Sequence, residues 1–248
     1  MAVALDDTSM SRKLVTFDFD WSLSEQDTDR WVFEVLDPIK RRQMKSLKSS
    51  IQWTDLVALK MKELHDDGKS REEIENALKV MPFHPAMKRA LENLKHRNPD
   101  VDLVILSNSN EVYIRTILQD KKILHLFDAI ITNKAEWSSS GCLNVSRRVD
   151  PNGPQHGCSV GCSPNMCKGE ELESYVAAKG GWDAYNQVFY VGDGGNDYCP
   201  LLHLRSQDTA LARYPRPLIN RIEKEGNLKC SVVKWVGAWE VEEILDKL

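Results

Sequence analysis

Asp18 and Asp20 are separated by one residue and follow directly on the apolar run Leu14-Val15-Thr16-Phe17. The β-branched and aromatic content of that run reads as a buried strand, so both carboxylates sit where a strand meets a loop. In an extended backbone they point the same way; in a turning loop they diverge around a shared centre. Either arrangement suits Mg2+, a hard cation that takes oxygen ligands and keeps waters which a phosphate can replace. Taken alone, Asp18-Phe19-Asp20 fits a solvated turn better than a site. A second carboxylate pair changes that weighing. Gly192-Asp193-Gly194-Gly195-Asn196-Asp197 follows the apolar run Val188 to Val191, and its three glycines let a ligand approach the backbone closely. Ser107, after the run Val101 to Leu106, can donate a hydroxyl to a phosphate oxygen, and Lys168 offers a point charge to the same oxygens.

These residues need a frame that brings them together. Apolar runs ending in Asp18, Ser107, Asn133 and Gly192 alternate with segments of helical spacing. Met87, Ala90, Leu91 and Leu94 form one such face, and Tyr113, Ile114, Ile117 and Leu118 another. Alternation of this kind predicts an α/β fold, a doubly wound parallel sheet in which ligands gather at the carboxyl ends of the strands. Asp18, Asp20, Ser107 and Asp193 all fall there. Ser231-Val232-Val233 is a candidate edge strand. Residues 25–80 break the pattern: they are rich in helix formers, with Ser70 and Glu73 as a capping box and Thr54-Asp55 as a cap for the helix carrying Leu56, Leu59 and Leu64. The chain thus divides into a core of residues 1–24 and 81–248 and a helical insertion of residues 25–80. The polar stretch Glu136 to Pro164 reads as a long loop or short hairpin.

In order and spacing, Asp18-Phe19-Asp20-Trp21-Ser22, Ser107, Lys168 and Gly192 to Asp197 resemble the four motifs of the haloacid dehalogenase superfamily. Within it, Leu106-Ser-Asn-Ser-Asn110, Cys162-Ser-Pro-Asn-Met-Cys-Lys168 and Tyr190-Val-Gly-Asp-Gly-Gly-Asn-Asp-Tyr-Cys-Pro200 resemble the phosphoethanolamine/phosphocholine phosphatase family. Ser22 departs from the threonine common at that place but keeps the hydroxyl.

The resemblance implies a magnesium-dependent phosphatase acting on small phosphate monoesters. Asp18 would be the nucleophile, forming an aspartyl phosphate, and Asp20 the acid and base. Mg2+ would lie between the Asp18 carboxylate, the Asp20 carbonyl and Asp193, with Asp197 orienting Lys168 or a bound water from behind. Ser107 and Lys168 would clamp the phosphate, and residues 25–80 would form a helical cap. Asp29, with Trp31 or Trp53, is the candidate reader of a cationic leaving group. Asn108 stands where the family is expected to carry an aspartate. It remains a phosphate-binding and substrate candidate, but the amide adds no net charge. That weakens the case for phosphocholine, leaves phosphoethanolamine a moderate substrate, and admits pyrophosphate, thiamine monophosphate or pyridoxal phosphate. A phosphotransferase of the same fold and a non-catalytic phosphometabolite-binding module are the competing readings; the intact acidic set argues against the second.

The 248 residues carry 33 basic and 37 acidic side chains, a net charge of -4, too balanced to point to nucleic acid or a membrane surface. No apolar run approaches the ~20 residues that cross a bilayer. Asp6 and Asp7 interrupt the place where a leader would be hydrophobic, so a cytoplasmic address is expected. His156, Cys158, Cys162 and Cys167 form H-x-C-x3-C-x4-C, four ligands of the kinds zinc prefers, although not at a common finger spacing. Unligated thiols are the first reading for them and a structural zinc the second; Cys199 and Cys230 are expected in the core.

Overall fold

The computed structural model describes residues 12–248. The reading of Asp6 and Asp7 against a leader therefore lies outside the described residues. The chain runs β1 (Lys13–Phe17), α1 (Thr28–Leu36), α2 (Pro38–Leu47), α3 (Trp53–Asp66), α4 (Arg71–Lys79), α5 (Pro85–Arg97), β2 (Asp102–Asn110), α6 (Glu111–Asp120), β3 (Ala129–Trp137) and β4 (Leu143–Ser146). It continues through α7 (Lys168–Ala178), β5 (Gln187–Gly192), α8 (Tyr198–Leu201), β6 (Thr209–Arg213), α9 (Pro217–Glu225), β7 (Ser231–Trp235) and α10 (Ala238–Leu245). The strands form one seven-stranded sheet in the order β4-β3-β2-β1-β5-β6-β7. Every pairing is parallel except that of β3 with β4.

The two-residue period of the strands sorts their side chains into two layers. Val15, Phe17, Leu103, Ile105, Phe189 and Val191 join one apolar cluster, while Leu14, Val104, Leu106, Val188 and Tyr190 join the other. With both faces covered, the central strands are continuous apolar runs, as buried parallel sheets require. β1 lies in the middle, so Asp18 leaves the sheet at its centre.

Helices α1 to α4 occupy residues 28–79 and share the first cluster: Phe33, Met61, Leu64 and Ile74 pack in it together with Tyr113 and Ile114 of α6. The Tyr113 hydroxyl donates to Met61 Sδ at 3.0 Å, and Lys121 donates to the Lys79 carbonyl at 2.9 Å. The capping box at Ser70 and Glu73 forms. At α3 the cap is Gln52, whose side chain accepts from Asp55 N, and not Thr54-Asp55. Leu59 is exposed, because the buried stripe of α3 runs through Leu56, Val57, Lys60, Met61 and Leu64 and position 59 falls on the opposite side.

The stretch from Glu136 resolves into a hairpin, β3 to β4, and then an irregular segment of residues 147–167. β6 has no counterpart in the sequence reading; its five residues, Thr-Ala-Leu-Ala-Arg, are too short and alanine-rich to stand out. No helix among the described residues is long and apolar enough to cross a membrane.

Because the helical insertion and the sheet bury side chains in one cluster, they should unfold together. Met61→Ala, at a fully buried site beneath Tyr113, should cost about 2–5 kcal/mol. Fluorescence and far-UV dichroism should report a single shared transition in urea; separate transitions would show an independently folding insertion.

Candidate active site

The chain leaves β1 at Asp18 and turns sharply through Phe19–Leu23, with Trp21 in the left-handed region at φ 59°. A non-glycine residue there carries strain of about 1–3 kcal/mol. Arg213 holds it by donating to the Trp21 carbonyl at 2.6 Å, and the Arg216 guanidinium stacks 4.4 Å from the Trp21 ring. The turn sends Asp18 and Asp20 to different neighbours around one cleft of about 320 Å³. Ser107, Asn108, Asp29 and Asp193 also line it.

At the floor, the buried Lys168 Nζ lies 2.9 Å from Asp18 Oδ1 and 2.7 Å from Asp197 Oδ1. Lys168 is the first residue of α7, and Asp197 closes the glycine-rich turn after β5. Asp197 Oδ1 also accepts from the Tyr190 hydroxyl at 2.8 Å, and its Oδ2 accepts from Asp193 N and Gly194 N at 3.0 and 2.9 Å. Four donors use up its lone pairs, so its role is to position Lys168 and the turn rather than to face a ligand. Gly192 permits this: a Cβ there would meet the Asp197 carboxylate carbon at 2.7 Å. Asp18 Oδ1 receives both Lys168 and Phe19 N, the latter at 2.6 Å, which leaves Oδ2 for the cleft.

Asp20 accepts from Thr28 N at 3.0 Å and Thr28 Oγ1 at 3.2 Å, at the start of α1. Ser107 Oγ accepts from Ser109 N at 3.2 Å, so its own proton is free for a ligand oxygen. Asn108 Oδ1 is taken by Asn196 Nδ2 at 2.8 Å. The Nδ2 donor of the amide suits a phosphate oxygen, and one of the two lone pairs on its oxygen is already taken. Asp29 is buried and accepts from Trp53 Nε1 at 2.7 Å. Trp31 points elsewhere, donating to the Ala77 carbonyl at 2.8 Å, so only Trp53 of the two lines the cleft.

The carboxylates of Asp18, Asp193 and Asp197 lie within 4.8 Å of one another. Burial, then the charge of Asp197, pushes Asp18 up to about 8 against the partial relief of Lys168. Burial and Asp197 likewise raise Asp193 to about 6, opposed by Arg216. Loss of solvent, followed by repulsion from Asp27, Asp29 and Asp18, lifts Asp20 well above the carboxylate range. Burial and Asp27 take Asp29 to about 7. Burial alone would lower Lys168, but Asp18 and Asp197 more than reverse it. Such an excess of buried negative charge is what a hard divalent cation relieves. The Arg216 guanidinium, 2.8 Å from Asp193 Oδ2, already supplies positive charge at that oxygen. Asp18 and Asp193 therefore fit Mg2+.

Arg216, Thr28, Tyr190 and Asn196 were not singled out from the sequence. Arg216 follows β6 at the same sheet edge as the other site residues, so recognising β6 would have exposed it. The cysteine set is also revised. Cys158, Cys162 and Cys167 are joined by Cys199, their sulfurs all within 4.8 Å. His156 is outside the group, its Nε2 bonded to the Ser163 carbonyl at 2.9 Å.

A family model described as "Putative Phosphatase" matches residues 13–248. Inorganic pyrophosphatase 2 of Arabidopsis thaliana is 34% identical, with 94% of this chain and 82% of that protein covered. Pyridoxal phosphate phosphatase PHOSPHO2 of Bos taurus is 30% identical, with 95% and 98% covered. Among solved structures, a HAD family hydrolase from Salmonella enterica subsp. enterica serovar Typhi aligns at TM-score 0.63 and 15% identity, over 95% of this chain and 72% of that one, a likeness of fold.

Two outcomes follow from the buried charges. In the metal-free chain Asp18 and Asp193 hold protons that the unfolded chain has released, so their contribution to stability is complete below about pH 4 and is lost as pH rises through 6 to 8. The rise in Tm on adding Mg2+ should thus be larger at about pH 8 than at about pH 5, and equal rises would argue against cation binding at these carboxylates. Asp197→Ala, which leaves Lys168 with Asp18 alone and strands two backbone N–H groups, should lower stability by about 3–5 kcal/mol in urea titrations.

Proposed function

Because the chain belongs to the family described as "Putative Phosphatase", phosphoric monoester hydrolases of the haloacid dehalogenase superfamily, we propose that it hydrolyses small phosphorylated metabolites with Mg2+ through a phosphate held transiently on Asp18. The observation that carries this reading is Lys168 Nζ set 2.9 Å from Asp18 and 2.7 Å from Asp197 at the floor of the cleft. A buried cation beside a carboxylate offers a place for a dianionic phosphate next to its attacker.

Asp18 and Asp193, with the Asp20 carbonyl, would hold Mg2+, whose charge lets one anion approach another. Asp18 attacks phosphorus, and the new bond to its oxygen forms as the bond to the leaving oxygen breaks. Asp20, whose pKa burial and the neighbouring acids raise well above the ordinary carboxylate range, gives its proton to that leaving oxygen. It then takes a proton from the water that attacks the aspartyl phosphate, which restores the Asp18 carboxylate and releases phosphate. Ser107 and Lys168 hold the nonbridging oxygens, and Asn108 adds its Nδ2 donor.

The leaving group meets Asp29, Trp53, Arg30 and Arg216 on the cleft wall. Arg30 stacks over Trp53 with its guanidinium 5.2 Å from the ring. Raised to about 7, Asp29 carries only part of a charge near neutrality, which weakens it as a partner for an amine. Both guanidiniums are paired, Arg30 with Asp27 at 3.0 Å and Arg216 with Asp193 at 2.8 Å, and their remaining N–H donors suit an acceptor-rich leaving group. The names of the pyrophosphatase and pyridoxal phosphate phosphatase relatives agree with that choice.

Asp18→Asn should fold to the wild-type far-UV dichroism spectrum, Asp197 still pairing Lys168, and lose turnover by at least ~10³-fold, since the amide cannot attack. A fold-competent variant with wild-type phosphate release would remove Asp18 from the chemistry. Asp193→Ala should raise the Mg2+ concentration needed for half-maximal rate. Across a panel, kcat/KM for pyrophosphate and pyridoxal phosphate should exceed that for phosphoethanolamine, with phosphocholine lowest, and Arg30→Ala should narrow the difference. The reverse ranking would overturn the assignment of the leaving group, whereas no release from any member would favour a binding module.

A further inference from the structure

We propose that Cys158, Cys162, Cys167 and Cys199 bind a structural zinc ion that ties the irregular segment 147–167 to the two loops holding Lys168 and Asp197. Four sulfurs about 2.3 Å from one tetrahedral ion stand about 3.8 Å apart. Here Cys158 Sγ lies 3.5 Å from Cys162 Sγ and 3.6 Å from Cys199 Sγ, and Cys167 Sγ lies 3.6 Å from Cys199 Sγ. All four are free thiols, and they come from three places: the irregular segment, the N-terminus of α7, and α8.

The surroundings suit thiolates. Val160 N points at Cys158 Sγ at 3.4 Å, and Glu170 N at Cys167 Sγ at 3.5 Å. Cys167 caps α7, where the helix dipole favours negative charge. His203 donates from or accepts at Nδ1 with Glu173 at 2.8 Å, while its Nε2 and Cys199 Sγ crowd the same spot over Gly169, each 2.7 Å from where a Cβ would be. An imidazole between a carboxylate and a thiolate is the outer support that metal-bound sulfur commonly receives. Gly169 leaves no room for any side chain there.

The segment has a need for such a tie. Residues 147–167 contain no helix or strand, and a structureless stretch of that length inside a compact domain requires another constraint. The position gives the tie a consequence: Cys167 precedes Lys168, and Cys199 follows Asp197 by two residues. An all-sulfur, closed donor set selects a soft or borderline ion and is separate in kind from the oxygen set at Asp18 and Asp193.

The test is metal analysis of the full chain purified without chelator or added metal. About one zinc per chain is expected, with X-ray absorption giving four sulfur neighbours at about 2.3 Å. His156→Ala and Asp193→Asn should keep the zinc; Cys199→Ser and Cys162→Ser should lose most of it. Removal by a chelator should lower Tm and expose four further thiols to titration. The proposal is overturned by wild-type protein without zinc whose six cysteines all react in the native state, by iron in its place, or by nitrogen and oxygen neighbours in the absorption spectrum. Zinc lost from Asp193→Asn but kept in the cysteine variants would overturn it as well. Since the wild-type measurements decide, a variant that fails to fold leaves the test intact.

Discussion

A lysine ammonium taken almost wholly out of water between two carboxylates constrains the rest of this molecule. Burying such a charge costs several kcal/mol unless it is paired and hydrogen-bonded, and here Asp18 and Asp197 provide the pairing at 2.9 and 2.7 Å. Each partner belongs to a different segment: Asp18 to the end of the central strand, Asp197 to the turn after its neighbour, Lys168 to the start of α7. Displacing Lys168 leaves two buried carboxylates without their cation, and displacing either carboxylate leaves the ammonium with a single partner. The pairing at this end of the cleft therefore also fixes how three segments meet.

Around that pairing the charges are unequal. Asp18, Asp20, Asp29 and Asp193 are all raised, chiefly by burial and then by the charge of Asp197 for Asp18 and Asp193 and of Asp27 for Asp20 and Asp29. A site held in this condition has an affinity for cations and protons, and the proposed chemistry would use both: a cation so that carboxylate and phosphate can meet, a proton on Asp20 for the leaving oxygen. The opposite roles proposed for Asp18 and Asp20 rest on their different environments. One faces an ammonium, and the other faces a helix N-terminus among further acids.

The helical insertion contributes one wall of the cleft and is not a separate body. Asp29 and Trp53 come from it, Ser107 and Asn108 from the sheet, and the apolar cluster beneath is continuous between them. The cleft wall is thus coupled to packing: Trp53 places Asp29, and Arg30 covers Trp53.

The α/β class, the parallel sheet and the position of the acidic residues at strand ends were legible in the sequence because they rest on local regularities. Apolar runs of strand length, helical spacing between them and carboxylates just past each run are all properties of neighbouring residues. β6 and the α3 cap were not legible: five alanine-rich residues carry little pattern, and Gln52 competes with Thr54 and Asp55 for one helix end. Partnership across the chain lies further out of reach. His156 is close in sequence to Cys158, Cys162 and Cys167, yet Cys199, from beyond β5, takes the fourth place. Arg216 meets Asp193, and Asn196 donates to the side-chain oxygen of Asn108, only because the sheet order sets β2, β1, β5 and β6 side by side. Residue type and spacing determined which chemistry this chain carries; which donor faces which acceptor was decided by the fold, since those distances depend on strand order and not on separation along the chain.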